Sequence, residues 1–432
     1  MPKFIRTSTL SLKYSNRNKL DELNSFIQEY KRVANLYLDY IWNNNIQISF
    51  PKKNKIVTYK FNNKNHLNLP MMLSNVEINK QINLETNLTA RSLKCCLTQV
   101  LSIVRGNIEK QKKRQFIINK LRSKSKKISK NLRKAIRNKP GKPNLDNLKP
   151  ELNSVCVDFK ETNNNFDAFI KLKSFINIRS KSIKFPVKFH KQYNKWSKQG
   201  KRLNSFLFSP NSVDIRYEIE RDKKTKGKII GADQGLKTIV TLSDKQITQK
   251  KDKDNYTLEI ITDKLTRKQK GSKAFLKTQE HRKNFIHWSI NQLNFKKIKE
   301  FRLEKVKGLR YKTKCSRYLS HWTYTNIEDK LKRVCEEEEV LLTLQNSVYR
   351  SQRCSKCGLV RKSNRKGKVY LCKNCGLEID ADLNASLNHQ QDIPDVPWDL
   401  RKLKLNRSGF FWKSDGFFSL TGEKLTVSLS NN

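Results

Sequence analysis

Two kinds of hydrophobic pattern take turns along the chain. Leu10, Leu12 and Tyr14 alternate with polar residues, which predicts a first strand. From about Asn18 the spacing becomes helical, through Leu20, Leu23, Ile27, Tyr30, Val33, Tyr37 and Ile41. A second helical stretch runs through Leu93, Leu97, Val100 and Val104, and Ile117, Leu121, Ile128 and Leu132 keep an apolar spacing beyond it. Pro140-Gly141-Lys142-Pro143 and Pro150 punctuate the end of this helical part. Alternation then returns in Val155, Val157 and Phe159, in Ile183, Phe185, Val187 and Phe189, and in Val213, Ile215, Tyr217 and Ile219. These runs predict a small β-barrel completed by the N-terminal strand, with the helical region inserted between.

Charge changes what this scaffold is for. The 432 residues include 91 Lys and Arg against 39 Asp and Glu, a formal charge of +52, which repels itself unless a polyanion neutralises it. Nucleic acid is the default polyanion for basicity spread along a whole chain. Between Lys110 and Leu145 no acid occurs at all. Solvated helix faces normally mix both signs, so Lys112, Lys113, Arg114, Lys120, Arg122, Lys126 and Lys127 are candidate phosphate contacts. Basic and aromatic residues also interleave from His190 to Trp196, which suits either base stacking or the rim of a barrel. Length favours two to four domains. The start, Met-Pro-Lys-Phe-Ile-Arg, has no apolar core, and no apolar run is long enough to span a bilayer. A soluble cytoplasmic protein is expected, nucleoid-associated when on DNA. Of 9 cysteines, four form two Cys-x-x-Cys pairs and the rest are scattered, which suits metal binding in a reducing compartment.

The third region, from about Lys228 to His389, carries the chemistry. Lys228-Ile229-Ile230-Gly231-Ala232-Asp233 predicts a buried strand ending in an acid, and Thr238 to Leu242 a returning one. Glycines on either side of Asp233 allow backbone or substrate to approach closely. Phe301 and Leu303 alternate with Arg302 and Glu304, as in another strand. Cys354-Ser355-Lys356-Cys357-Gly358 is answered by Cys372-Lys373-Asn374-Cys375-Gly376. Each pair forms a tight knuckle, the following glycine relieves the turn, and four thiolates give a closed structural zinc site with no open position. Glu378-Ile379-Asp380-Ala381-Asp382 then places acids at a helix start, with Asn384 and Asn388 one turn apart on one face. Carboxylates gathered from distant segments are what a two-metal phosphodiesterase needs. Mg²⁺ takes oxygen ligands, and two ions about 4 Å apart activate a water and stabilise the leaving oxygen.

Gly-Ala-Asp233-Gln-Gly-Leu-Lys, Glu304, the paired Cys-x-x-Cys and Asp382-Leu-Asn-Ala-Ser-Leu-Asn resemble the nuclease domain of transposon-encoded TnpB and of related miniature type V CRISPR effectors. Ser351-Gln352-Arg353 before the first knuckle, and Arg267 to Lys273, resemble that family as well. The resemblance implies a multidomain α+β protein. A wedge-like β-barrel (1–17 and 150–225) with an inserted helical recognition lobe (18–149) would precede an RNase H-like RuvC α/β domain (226–350 and 376–389). A zinc ribbon (351–375) would be inserted in the latter, and a tail (390–432) would follow. It implies an RNA-guided endonuclease that binds a guide RNA and cuts double-stranded target DNA at one RuvC site holding Mg²⁺ on Asp233, Glu304 and Asp382. Asp382 is preferred over Asp380 because it occupies the family's Asp-x-Asn-Ala position. Guided binding without cleavage, and an unguided nuclease or transposase, are the alternative readings. Gln234 stands where a small apolar residue is common and Arg350 where Thr is usual. The tail's Phe410-Phe411-Trp412 and Phe417-Phe418 have no counterpart in the resemblance.

Overall fold

The computed structural model describes residues 2–43, 45–50, 55–60, 74–122, 141–173, 182–306, 317–321 and 324–425. The chain forms two compact units, residues 1–220 and 221–432.

The first unit opens with β1 (Lys3–Ser11), α1 (Arg17–Asn43), β2 (Asn45–Phe50), β3 (Lys55–Lys60), α2 (Asn75–Gln81) and α3 (Ala90–Arg122). There follow β4 (Glu151–Asn153), β5 (Val157–Glu161), β6 (Ala168–Leu172), β7 (Ile183–Val187), α4 (Lys191–Gln199), β8 (Lys201–Ser209) and β9 (Ser212–Glu220). The apolar stripe of α1 is its buried face: Leu23, Ile27, Tyr30, Val33, Tyr37 and Ile41 all lie in the core. Two of its phenols reach that core only because they find partners. Tyr30 donates to Gln99 Oε1 at 3.0 Å and Tyr37 to Asn79 Oδ1 at 2.6 Å, which offsets the cost of burying a hydroxyl. Leu93, Leu97, Val100 and Val104 of α3 join the same cluster.

The N-terminal strand pairs as expected, antiparallel to β9 from Lys3 opposite Glu220 to Ser11 opposite Ser212. The expected barrel does not close. Among the described residues the strands expected to form it lie in two open sheets, β1-β9-β8-β4 and β5-β6-β7. The alternation through Val155, Val157 and Phe159 is not one strand, because residues 154–156 form a turn between β4 and β5. Val155 is therefore 52% exposed while Val157 is buried. Both sheets meet in one core through Leu152, Ile170, Phe185, Phe206 and Ile215. A second correction concerns His190 to Trp196, which forms the start of α4. His190 caps this helix, accepting from the Tyr193 amide, and Tyr193 and Trp196 are buried. Those rings belong to the core and offer no face to a base. A third is the β2–β3 hairpin inside the segment expected to be helical.

The second unit contains β10 (Lys228–Gln234), β11 (Val240–Leu242), α5 (Leu258–Arg267), α6 (Lys273–Asn291), β12 (Ile298–Lys305), α7 (Tyr324–Glu337) and β13 (Leu341–Asn346). Their order in the sheet is β11-β10-β12-β13. β11 runs antiparallel to β10, whereas β12 is parallel to both β10 and β13. Parallel neighbours need a crossover, and α5–α6 and α7 provide the two. The chain continues through β14 (Leu359–Val360), β15 (Arg365–Lys366), β16 (Val369–Leu371), β17 (Glu378–Asp380), α8 (Ala381–Gln390), α9 (Trp398–Lys402), β18 (Phe410–Lys413) and β19 (Gly416–Phe418).

The aromatic tail is a hairpin folded into this unit. β18 pairs with β14 on one side and β19 on the other, burying Phe410 and Trp412. No helix among the described residues is long and apolar enough to cross a membrane.

Candidate active site and metal centres

β10 and β12 run parallel with Ala232 opposite Leu303, so the next residue on each, Asp233 and Glu304, emerge side by side at the strand ends. The Gln234 backbone amide donates to Glu304 Oε1 at 3.3 Å, and the Gln234 side chain donates to the Glu304 carbonyl oxygen at 3.2 Å. The helix α8 is laid across β10. Gly231 makes this approach possible, since a Cβ there would overlap the Ser386 carbonyl oxygen and the Gln390 amide. The Gln390 side chain then donates to the Ile229 carbonyl at 2.9 Å.

The two acids at the head of α8 take different positions. Asp380 is the N-cap, accepting from the amides of Asp382 and Leu383, and is exposed. Asp382, in the first turn, is 7% exposed and pairs with Arg365 at 3.1 Å and with Lys368. Asp233, Glu304, Asp382, Arg365 and Lys368 line one cavity of about 980 Å³. Burial pushes the Asp233 carboxyl well above its ordinary range, and the neighbouring Glu304 and Asp382 add to the effect. Burial likewise pushes Glu304 up to about 7, against the opposing pull of the Gln234 amide and Arg365. Two adjacent half-buried carboxylates that resist ionisation on their own are a place for a cation, whose charge makes both anions favourable.

Sequence reasoning missed a further member of the cluster. Ligand atoms of Asp233, Glu304 and His389 all lie within 4.8 Å of one another. His389 is 1% exposed, and burial together with Arg350 lowers its pKa to about 3, so the ring is neutral. The available signal was its spacing. His389 is seven residues after Asp382, two helical turns on, and so shares its face of α8.

The four cysteines converge. The sulfurs of Cys354 and Cys375 are 3.6 Å apart, as are those of Cys357 and Cys372, and all four lie within 4.8 Å of one another. Tetrahedral thiolates about 2.3 Å from one zinc ion are separated by roughly 3.8 Å, so the cluster fits that ion. In each knuckle the glycine amide donates to the carbonyl of the first cysteine at 3.0 Å, with Gly358 and Gly376 at φ of +80° and +68°. A side chain at either position would be strained.

The polar residues around the ribbon tie it to α8. Asn384 accepts from the Ser355 amide at 3.0 Å and donates to the Arg353 carbonyl at 2.8 Å. Asn388 donates to the carbonyls of Arg350 and Arg353 at 3.0 and 2.7 Å. Arg350 is 2% exposed, donates to the Asn388 carbonyl at 2.6 Å, and its guanidinium lies 5.4 Å from the Trp412 ring centre. Two oddities of the sequence, Arg350 and the aromatic tail, are thus in contact with each other.

Of the basic residues, Lys112, Lys113 and Arg114 lie towards the end of α3 in the first unit, with Lys113 exposed and Lys112 paired to Glu109 at 3.1 Å. Lys120 and Arg122 stand on the helix's last turn, their side chains outside the described residues, as are Lys126 and Lys127 entirely.

Residues 324–389 match the family model of the Cas12f1-like TNB domain. The chain is 39% identical over 74 residues to the CRISPR-associated endodeoxyribonuclease Cas12f1 of Sulfoacidibacillus thermotolerans, covering 17% of this chain and 18% of that protein. It is 37% identical over 92 residues to a TnpB-like protein of Aquifex aeolicus, covering 20% of this chain and 30% of that one. The matched segments therefore span less than a third of these relatives. The fold is similar to that of CasPhi-2 (Cas12j) bound to crRNA, with a TM-score of 0.50 and 9% identity over 91% of this chain and 99% of that one. The chain resembles TnpB and the miniature type V effectors, as its motifs imply.

Proposed function

We propose that this protein is an RNA-guided DNA endonuclease that hydrolyses phosphodiester bonds at a single RuvC-type site. The observation that carries the reading is the meeting of Asp233, Glu304 and Asp382 in one cavity, beside a four-thiolate cluster on the same unit. Asp233 and Glu304 would hold Mg²⁺ together with Asp382, and Cys354, Cys357, Cys372 and Cys375 would hold a structural zinc ion. Bound magnesium supplies activation of a water and neutralisation of the leaving oxygen.

The protein's own residues do the rest. Parallel pairing of β10 and β12 fixes the two strand carboxylates without spending loop entropy at the moment of reaction. Arg365 and Lys368, now on Asp382, are cations at the cavity wall that attract a phosphodiester backbone. The ribbon, tied through Asn384 and Asn388, holds these cations over the site. The basic charge of the whole chain supports a guide RNA and target DNA as partners, since base pairing then reads the sequence and the protein supplies phosphate contacts. The test is to purify the protein from cells carrying its flanking DNA, sequence the RNA that accompanies it, and assay cleavage of matching duplex. Cleavage that is independent of any RNA, or absent with the matching guide, rejects the proposal.

A further inference from the structure

The carboxylate pair has a neighbour that a purely oxygen-lined magnesium site does not need. His389 comes from α8, not from the strands, and is held against them by the contact at Gly231. Its Nδ1 lies 3.3 Å from the side-chain oxygen of Gln345. An amide oxygen only accepts, so Nδ1 carries the proton and Nε2 keeps its lone pair. Gln345 in turn sits opposite Glu304 in the register of β12 and β13. The imidazole is therefore oriented by a group on the strand next to one of the carboxylates. This is the arrangement by which metal-bound histidines are usually fixed, with the ring's other N–H donated to an outer acceptor.

Charge and supply of ligands point the same way. Asp382 is shared with Arg365 and Lys368, which limits what it offers the cation held by Asp233 and Glu304. A neutral imidazole adds a donor without adding a further anion to a divalent cation already balanced by carboxylates. We infer that His389, through Nε2, is a further protein ligand of the cation held by Asp233 and Glu304, alongside Asp382. The inference rests on the proposed nuclease reading of the cavity. Its chemical consequence is selectivity. Mg²⁺ strongly prefers oxygen, whereas Mn²⁺ and other first-row ions accept imidazole, so the site favours Mn²⁺ over Mg²⁺ more than three oxygen ligands would.

The test uses the full-length, zinc-containing protein without nucleic acid, with Mn²⁺ as the probe. Binding is followed by the loss of the free-ion electron paramagnetic resonance signal, and pulsed measurements then look for nitrogen coupled to the bound ion. The wild type should show that coupling. His389→Leu should abolish it and weaken Mn²⁺ binding by about tenfold, with Mg²⁺ binding changed by less than about threefold. Labelling the wild type with ¹⁵N-histidine should change the coupling pattern, which decides the matter even where the Leu variant folds poorly. Bound Mn²⁺ with no nitrogen coupling, or a coupling retained in His389→Leu, overturns the role of His389 and leaves the nuclease reading standing. Equal Mn²⁺ binding by wild type and Asp233→Asn overturns the metal site itself, and the inference with it.

Discussion

The thiolate cluster and the carboxylate cavity lie in one unit yet are built in opposite ways. Each half of the thiolate site spans four residues, and its geometry follows from two short turns with a glycine after each. The carboxylate site draws Asp233, Glu304 and Asp382 from two strands and a helix, and exists only once β10, β12 and α8 have packed. The first is closed, and four thiolates around one divalent zinc ion leave it net negative. The second opens into a cavity and carries cations on its wall. A closed site contributes to folding, whereas an open one is positioned by a fold that other interactions must already hold. The two are coupled through α8, because the same short helix supplies Asp382 and the ribbon's anchors Asn384 and Asn388.

That contrast can be tested by breaking each side. Asp233→Ala or Asp382→Ala should reduce cleavage of guided target to background, while RNA and target binding stay within about twofold, since cations and not these carboxylates would hold phosphates. Parallel gel-shift and cleavage assays check this. Normal cutting by Asp382→Ala with loss in Asp380→Ala would move the third carboxylate to the cap position.

Cys354→Ser should act on the fold first. It removes one of four thiolates, and with it a large part of the roughly 10–16 kcal/mol that structural zinc contributes in small zinc domains. Metal content by mass spectrometry and limited proteolysis around 351–390 are the readouts. An active variant that has lost its zinc would show that the ribbon is not needed to seat α8.

Glu304→Gln should stabilise the metal-free protein near neutral pH. The folded-state pKa of about 7 lies above the unfolded value near 4.5, so ionising Glu304 opposes folding. The penalty is absent at pH 4, grows as pH rises through that window, and is complete above 7. The variant should gain about 2 kcal/mol at pH 8 and nothing at pH 4, and Mg²⁺ should erase the difference by stabilising the wild type alone. Thermal melts with chelator and with Mg²⁺ check it.

The smallest effect concerns the basic helix. Replacing Lys112, Lys113 and Arg114 by Gln should lower the slope of log affinity against log salt by about 2–3, because fewer counterions are released. Sequence preference should stay the same. An unchanged slope would mark the end of α3 as a solvated surface, as the Lys112–Glu109 pair already suggests for one of the three.

Patterns that depend on near neighbours were legible in the chain. The buried stripe of α1, the strands through Asp233 and Glu304, and both cysteine knuckles follow from spacing, since helix, strand and turn periodicities are local. The β-barrel was not, because closing a sheet depends on which edges meet, and a three-residue turn at 154–156 redirected one strand. Nor was the fate of Tyr193 and Trp196, whose aromatic and basic surroundings read equally well as exposed or as core.

The sequence alone therefore determined the residue types, their local turns and the excess of positive charge. Tertiary structure decided which of those residues share a site. It set Asp380 as a cap and Asp382 in the cavity, joined Arg350 to Trp412, and brought His389 beside two carboxylates more than eighty residues away in the chain. The physical reason is that spacing fixes the direction of a side chain within its own element. Proximity between elements is fixed by packing, and here by the missing side chain of Gly231, which lets α8 lie on β10.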